Sequence, residues 1–176
     1  MTSAAQSPGM TLAEHLNELR SRIVKSVFAI LVASGFVWAN YETAFNFLSS
    51  PFKAAHEAHP ETILALTGVT SGLVMQLNVA LVGGVILASP IWIYQLWRFI
   101  SPGLHQNEKR LTALFTVIAV PMFLLGSWLG YVVLPHTLEA LFAFTPTDVT
   151  NVTNVENYIS FSLHLTLFFG LGFLIP

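Results

Sequence analysis

The chain has 176 residues, of which 54% are hydrophobic and 9% are charged, and its formal net charge is −2. A soluble domain is about 25% charged, so this sequence cannot cover a globular surface with charge, and we expect most of that surface to face lipid. The small net charge argues against a nucleic-acid partner. Because the chain has no cysteine, disulfide frameworks, thiol catalysis and Cys-based zinc sites are excluded. The composition therefore predicts an integral membrane protein.

The sequence contains four apolar stretches that can each form a membrane span, since a helix needs about 20 residues to cross the hydrocarbon core. Before the first of them, Leu12, Leu16 and Leu19 recur at helical spacing and predict an amphipathic helix on the membrane surface. We therefore predict one all-α, polytopic membrane domain over residues 1–176. Its predicted parts are, in chain order, a cytoplasmic amphipathic helix at 10–22, span 1 at 23–41, an external loop at 42–72, span 2 at 73–97, a cytoplasmic loop at 98–110, span 3 at 111–135, an external loop at 136–156 and span 4 at 157–176.

Basic residues lie on alternate sides of the predicted spans. Six of the seven Lys and Arg residues lie before span 1, in its first turn, or between spans 2 and 3, whereas the loops after spans 1 and 3 contain only Lys53. Cytoplasmic loops of membrane proteins carry the excess of Lys and Arg, so this distribution predicts a cytoplasmic N-terminus. Because span 4 reaches Pro176 without a basic flank, we expect the chain to be part of a longer protein.

Two acidic residues interrupt the basic clusters at the predicted cytoplasmic face. Glu18 precedes Arg20 and Arg22 in the stretch EHLNELRSR, and Glu108 precedes Lys109 at the start of the third predicted span. Glu18 has a structural interpretation, an i,i+4 pair with Arg22, which is worth about 0.3–0.5 kcal/mol when exposed. Glu108 has one as well, because a carboxylate is favourable at a helix N-terminus. The residues alone leave open whether these acids are structural or bind a ligand.

The most distinctive motifs of the sequence are HLNELRSR, before span 1, and SPIWIYQLWRFISPGLHQNEKR, after span 2. Pro90 in the second motif is predicted to kink the helix, because proline removes a backbone hydrogen bond. Together the two motifs closely resemble the TatC family, the polytopic subunit of the twin-arginine protein translocase. The resemblance covers essentially the whole chain, but only the first four of the six spans that the family has. It implies a signal-peptide receptor that helps to export folded proteins and is not an enzyme.

The resemblance also implies a site for the consecutive arginines of a signal peptide. Glu18 and Glu108 are the acids expected to meet those arginines, and nearby basic residues would keep the acids ionised and oriented. A guanidinium group pairs with a carboxylate through two parallel hydrogen bonds, which lysine cannot reproduce. The residues implied to bind the signal peptide are Glu18, Glu108, Arg20, Phe99 and Leu104, and those implied to be structural are His15, Pro51 and Pro90.

Further partners follow from the resemblance: single-span subunits of the TatA or TatB type, the lipid bilayer and other copies of this chain. The implied location is the inner (plasma) membrane of a prokaryote, and no cofactor or metal is implied. One position departs from the family, whose members commonly carry Glu or Gln late in span 4, where this chain has Leu174. That position is linked to contact with a single-span partner, so Leu174 leaves the contact open, with His164, Gln76 and Asn78 as alternative polar groups.

A second class of function, a small-solute or ion transporter or channel, is a rival interpretation. Gln76, Asn78, Glu156 and His164 lie in or beside the predicted spans, and polar groups within a membrane often mark a transport path. The structural alternative is hydrogen bonding between helices, favoured by glycines that permit close packing. Those glycines are Gly83, Gly84, Gly170 and Gly172.

An intramembrane enzyme is a third class. The sequence has no GxSxG motif, no HExxH motif and no paired aspartates within a predicted span, which are common carriers of such chemistry. The stretch HEAH at 56–59 places two histidines three positions apart, but in a predicted external loop and without an obvious third metal ligand. We therefore expect no catalytic or metal-binding residue.

Overall fold

The structure, a computed structural model, describes residues 12–58, 62–100, 109–144 and 152–175, which are mainly helical. The helices and strands in chain order are α1 (Leu12–Ala39), α2 (Tyr41–Ala58), β1 (Ile63–Ala65), α3 (Ser71–Leu87), α4 (Ser89–Ile100), α5 (Lys109–Phe142), β2 (Val152–Asn154) and α6 (Val155–Gly172). The prediction of a mainly helical chain is confirmed. It missed two strands, because three-residue segments are too short to show a periodic pattern.

Those two strands join the predicted external loops to each other. β1 pairs with β2 in parallel, with Ile63 opposite Val152 and Ala65 opposite Asn154. The side chain of Asn154 then serves both neighbours: its oxygen accepts from the backbone N–H of Glu156 at 2.9 Å and so caps α6, and its Nδ2 donates to Thr67 at 2.6 Å. The strand pair thus fixes the start of α6 against the segment that leads into α3.

Two helices in the described ranges are long and apolar enough to cross a membrane, over Ala13–Ala39 in α1 and Leu114–Phe142 in α5. The pair α3 and α4 meets the same criterion as one bent span, with an angle of 58° between its halves. The described residues therefore contain two or three candidate crossings by length and composition. The predicted fourth span, which coincides with α6, and the direction of the chain stay predictions.

The outer surfaces of the long helices are apolar. Phe28 and Phe36 of α1 and Val117 and Leu125 of α5 each have more than half of their surface exposed. Apolar patches of this extent mark contact with lipid or with another protein. This is the surface that the low charge content of the sequence predicts.

Several predicted boundaries differ from the observed ones in the first half of the chain. The amphipathic helix at 10–22 and span 1 at 23–41 form one continuous helix, α1, because no helix-breaking residue separates them. The predicted external loop at 42–72 contains the 18-residue helix α2. Its buried residues Leu48, Phe52 and Ala55 recur at helical spacing, a pattern that the internal Pro51 concealed.

The second predicted span, 73–97, is broken at Ala88, between α3 and α4. Pro90 is the second residue of α4, a position where its missing N–H leaves no helical bond unmade. The indole N–H of Trp92 donates to the carbonyl of Val85 at 2.9 Å, in the last turn of α3. A backbone carbonyl at a helix break is thereby satisfied within the protein, as the interior of a membrane requires.

The third predicted span, 111–135, is part of the 34-residue helix α5, which continues to Phe142. The predicted external loop at 136–156 therefore begins with helix, since the internal residues Pro121 and Pro135 do not end it. Neighbouring helices can satisfy the backbone groups that proline frees in such a span. Most of the predicted cytoplasmic loop at 98–110 lies outside the described residues.

The main hydrophobic core joins α2 to the adjacent ends of α5 and α6. Phe52 is 4% exposed, and its ring meets the edges of Phe142 and Tyr158, at centroid distances of 5.9 and 5.3 Å. The buried hydroxyl of Tyr158 donates to the carbonyl of Leu48 at 2.6 Å. These contacts hold α2 against the bundle by apolar packing and one buried hydrogen bond.

Glycine permits the close contact between α1 and α3. A Cβ atom at Gly84 would lie 2.8 Å from the backbone nitrogen and 2.9 Å from the Cα of Ser34, and one at Gly83 would lie 3.1 Å from Val37. Backbone atoms cannot move aside as the end of a flexible side chain can. Small residues at such a crossing are what allow membrane helices to approach closely.

Replacing Gly84 with alanine should therefore destabilise the protein by about 1–3 kcal/mol, the usual cost of overpacking. Thermal unfolding of the purified protein in detergent measures the effect. The matched control is Gly35→Ala on α1, where an added Cβ has no atom within 4 Å. Equal unfolding temperatures for the two variants would show that the crossing at Gly84 is not tight.

Candidate functional site

The first turns of α1 contact the second half of α4. The ring of His15 stacks on Phe99, with centroids 4.5 Å apart and an angle of 19° between the planes. Two turns further along α1, Nη1 of Arg22 donates a long hydrogen bond of 3.5 Å to Oε1 of Gln95. Residue numbers rise along one helix as they fall along the other, so α1 and α4 run antiparallel at this contact.

Glu18 lies on α1 between those two contacts and forms an ion pair with Arg22, whose Nη2 donates to Oε1 of the carboxylate. The pair has the i,i+4 geometry that the sequence predicts. It is not an exposed surface pair, however, because the Arg22 side chain is 10% exposed and that of Glu18 is 24% exposed. Partial burial makes hydrogen bonds to charged groups stronger, about 1.5–3 kcal/mol.

The pair leaves part of its hydrogen-bonding capacity unused. Oε2 of Glu18 and Nε of Arg22 are buried and have no hydrogen-bond partner within the described ranges. An ionised carboxylate accepts at both oxygens and can take a guanidinium group through two bonds. Glu18 therefore has the capacity to accept a further donor.

An apolar groove of about 240 Å³ begins beside this polar cluster. The groove is lined by Arg22, Gln95 and Phe99 together with apolar residues of both helices. Those apolar residues are Leu19, Ile23, Val27, Ile30, Trp92 and Leu96. The site thus combines an acid and a buried cation with an adjoining apolar channel, a combination suited to a ligand that has a cationic part next to an apolar one.

The structure places the remaining predicted site residues in different surroundings. Arg20 is exposed on α1, and Pro51 is buried inside α2. Pro90 follows the break between α3 and α4. Glu108 and Leu104 lie outside the described residues, so their contacts with Glu18 stay predictions.

Sequence reasoning missed Gln95, which is the residue of α4 that meets Arg22. Its signal is a single amide in the otherwise apolar stretch IWIYQLW. A polar side chain in a span needs a partner, but the sequence does not show which helix supplies it.

Two of the polar groups that suggested a transport path, Asn78 and His164, both contact Ser160 of α6. Nδ2 of Asn78 on α3 donates to Oγ of Ser160 on α6 at 2.8 Å, and Nδ1 of His164 lies 2.6 Å from the Ser160 carbonyl. A cavity of about 330 Å³ lies nearby, but apolar side chains such as Val79 and Leu163 dominate its lining. These contacts favour the helix-packing interpretation over a polar channel.

Leu174, where a Glu or Gln was expected by resemblance, packs against the second core cluster, formed by Ile93, Ala119 and Phe123. An apolar side chain suits that contact. Among the glycines, Gly170 faces Phe123 and Ser127 closely, whereas Gly172 has open space beside it. In the residues that the structure covers, no group of three His, Asp or Glu side chains could hold a metal ion, and one histidine of the HEAH stretch, His59, lies outside them.

The stacking of His15 on Phe99 predicts that cysteines at these positions crosslink. The chain has no cysteine of its own, so a short bifunctional maleimide should join the two cysteines of the double variant His15→Cys, Phe99→Cys. When the polypeptide is then cut by a protease between α1 and α4, the two fragments should stay linked and run together on a gel. Leu16→Cys paired with Phe99→Cys is the control, because Leu16 is 63% exposed. Equal crosslinking of both pairs would contradict the observed contact.

Comparison with known proteins identifies relatives of the whole chain. A family model described as Sec-independent protein translocase protein (TatC) matches residues 14–176. The Sec-independent protein translocase protein TatC of Xylanimonas cellulosilytica is 35% identical over 99% of this chain, and that of Aquifex aeolicus is 36% identical over 95%. The chain spans 65% and 70% of the lengths of these two relatives. A crystal structure of the twin arginine translocase receptor TatC matches 91% of this chain and 70% of its own, with 36% identity and a TM-score of 0.80.

Proposed function

The chain belongs to the TatC family of Sec-independent protein translocase proteins, and we propose that it serves as a signal-peptide receptor and core subunit of the twin-arginine translocase. In this role it binds the consecutive arginines of signal peptides and helps to export folded cargo across the inner (plasma) membrane of a prokaryote. It makes and breaks no covalent bonds itself. One crystal structure among its relatives is described as a twin arginine translocase receptor, which supports this assignment.

The observation that carries the proposal is the partly buried carboxylate of Glu18, one oxygen of which has no hydrogen-bond partner among the described residues, beside an apolar groove. A signal arginine offers two parallel donors to such a carboxylate, whereas a lysine offers a point charge. A difference of about 1.4 kcal/mol is a tenfold change in affinity. One partly desolvated arginine–carboxylate pair is therefore enough to separate an Arg-Arg signal from a Lys-Lys signal.

Glu108 is proposed as the acceptor for the second arginine. α4 ends at Ile100 next to the start of α1, as the Phe99–His15 stacking shows, and α5 begins at Lys109. These two ends of described helix flank the segment 101–108, which carries Leu104 and Glu108, and they support the proposal that Glu108 acts together with Glu18. Phe99 and the adjoining groove would take the apolar part of the signal peptide, together with Leu104, and the exposed Arg20 would stand at the entrance.

We further propose the membrane arrangement that the basic residues predict: four spans in this chain and a cytoplasmic N-terminus. The antiparallel contact of α1 and α4 supports opposite directions for the first two spans. The exposed apolar faces of α1 and α5 suit lipid, single-span subunits of the TatA or TatB type, or another copy of the chain. Because Leu174 is occupied in core packing, contact with a single-span partner is proposed to use those outer faces instead.

Loss of both carboxylates should abolish capture of the signal peptide. The double variant Glu18→Gln, Glu108→Gln in membranes should lose at least tenfold in photocrosslinking to an Arg-Arg signal peptide, since a charged hydrogen bond is worth about 1.5–3 kcal/mol, and a Lys-Lys peptide should crosslink poorly to the unaltered protein. Glu42→Gln is the control, because it makes the same kind of substitution, with loss of one carboxylate, at an exposed position of α2. Crosslinking of the double variant at the level of this control would refute the receptor assignment.

Cysteine labelling tests the direction of the chain. Asn17 and Lys53 are both exposed, and a cysteine at either position would be the only one in the protein. A membrane-impermeant maleimide should label Lys53→Cys in intact cells or right-side-out vesicles, and Asn17→Cys only in inverted vesicles. Labelling of both variants from the same side would contradict the proposed topology.

A further inference from the structure

The carboxylate proposed to receive a signal arginine is already paired with an arginine of this chain. The guanidinium group of Arg22 is the same chemical group that a signal arginine presents, and it is bound to Glu18 from one turn further along α1. Its other terminal nitrogen lies 3.5 Å from Oε1 of Gln95 on α4. Arg22 therefore stands between two acceptors, one charged and on its own helix, and one neutral and on another.

We propose that Arg22 is a resident competitor, which occupies Glu18 until a signal arginine replaces it, and that Gln95 then holds the released guanidinium. The proposal rests on the proposed function, since it concerns the same carboxylate. The proposal assigns a role to two further residues, Arg22 and Gln95, which together set the affinity that a ligand needs in order to displace Arg22 from Glu18.

The geometry fits replacement of Arg22 by the signal arginine at Glu18 better than binding of the signal arginine beside Arg22. Oε2 of Glu18, which has no partner within the described ranges, is buried, so an incoming guanidinium reaches it only if the carboxylate turns outward. That turn breaks the contact between Oε1 and Arg22. A cation whose side chain is 10% exposed cannot be left unpaired without a large cost, and the amide oxygen of Gln95 is the acceptor already beside it.

The resident pair raises the affinity that any ligand needs, and a ligand that binds Glu18 through two bonds meets this requirement more easily than one that binds through a single bond. Arg22 reaches Glu18 through one terminal nitrogen, and its Nε has no partner in the described part of the chain. A signal arginine is not tethered to the same helix and is free to form the two parallel bonds that make arginine–carboxylate pairs strong. A lysine lacks the fork-shaped group and displaces the resident less readily. Arg22 thus lowers the affinity of every cationic segment for Glu18, so that segments with a weak intrinsic affinity are no longer captured.

A competitor lowers the affinity of every ligand for Glu18 by one common factor. Arg22→Gln in the full-length protein in membranes should therefore raise the affinity for fluorescent Arg-Arg and Lys-Lys signal peptides by the same factor, roughly 3- to 10-fold. The ratio between the two peptides should stay constant. Lys25→Gln is the matched control, because it removes the same charge from an exposed position three residues along α1 and should change both affinities by less than about twofold.

Substitution of Gln95 gives a second, independent test of the proposal, again through the affinity for the Arg-Arg peptide. Gln95→Leu removes the acceptor for the released Arg22 and should lower the affinity for the Arg-Arg peptide in the unaltered background. The same substitution should have a smaller effect when Arg22→Gln is already present, because no cation then needs to be held. This coupling between the two positions is not expected of a residue that only packs in the groove.

The outcomes separate the two proposals. If Arg22→Gln weakens binding, leaves it unchanged or changes the ratio between the peptides, or if Lys25→Gln strengthens binding equally, the competitor role is overturned. If Glu18→Gln binds the Arg-Arg peptide as tightly as the unaltered protein, the receptor assignment itself fails. Should Arg22→Gln not fold, Arg22→Lys keeps the charge and weakens the resident pair, and it must then raise both affinities or the inference is wrong.

Discussion

The antiparallel contact between the start of α1 and the second half of α4 is the interaction on which the proposed site depends. α1 already runs antiparallel to α3 where Ser34 meets Gly84, and the Arg22–Gln95 contact continues that packing beyond the 58° bend between α3 and α4. Pro90 permits the bend, and the indole of Trp92 satisfies a carbonyl there. Without the packing of α4 on α1, Glu18 and Arg22 would be an ordinary exposed pair.

Burial increases the energetic contribution of the charged residues at this contact. An exposed i,i+4 pair contributes little, whereas Arg22 is shielded by α4 and its charge must be balanced locally. Glu18 and Gln95 together provide that balance in a protein with few charges. The residues that satisfy the positive-inside rule can thus also form a binding site, because one acid lies among several cations and its ion pair with Arg22 fixes its orientation.

Hydropathy and charge spacing predict the helical membrane class, the Glu18–Arg22 pair and the regions of α1, α3 and α5, since these follow from local composition and helical period. They do not predict α2, where Pro51 and polar residues conceal a buried stripe around Phe52. They also do not predict that Arg22 is buried or that Gln95 is its neighbour, because both depend on how α1 and α4 pack against each other. The resemblance of two motifs, and not the pattern of charges, is what assigns the acids a ligand.

The central claim is that Glu18 and Glu108 form one site at one membrane face. Pulsed electron paramagnetic resonance between spin labels on Glu18→Cys and Glu108→Cys, in the otherwise cysteine-free chain, measures their separation directly. We predict a distance on the order of 15 Å, within the reach of two neighbouring arginine side chains whose Cα atoms are about 3.8 Å apart. A distance on the order of 30 Å, the thickness of the hydrocarbon core, would contradict the account, because no pair of consecutive arginines could then engage both acids.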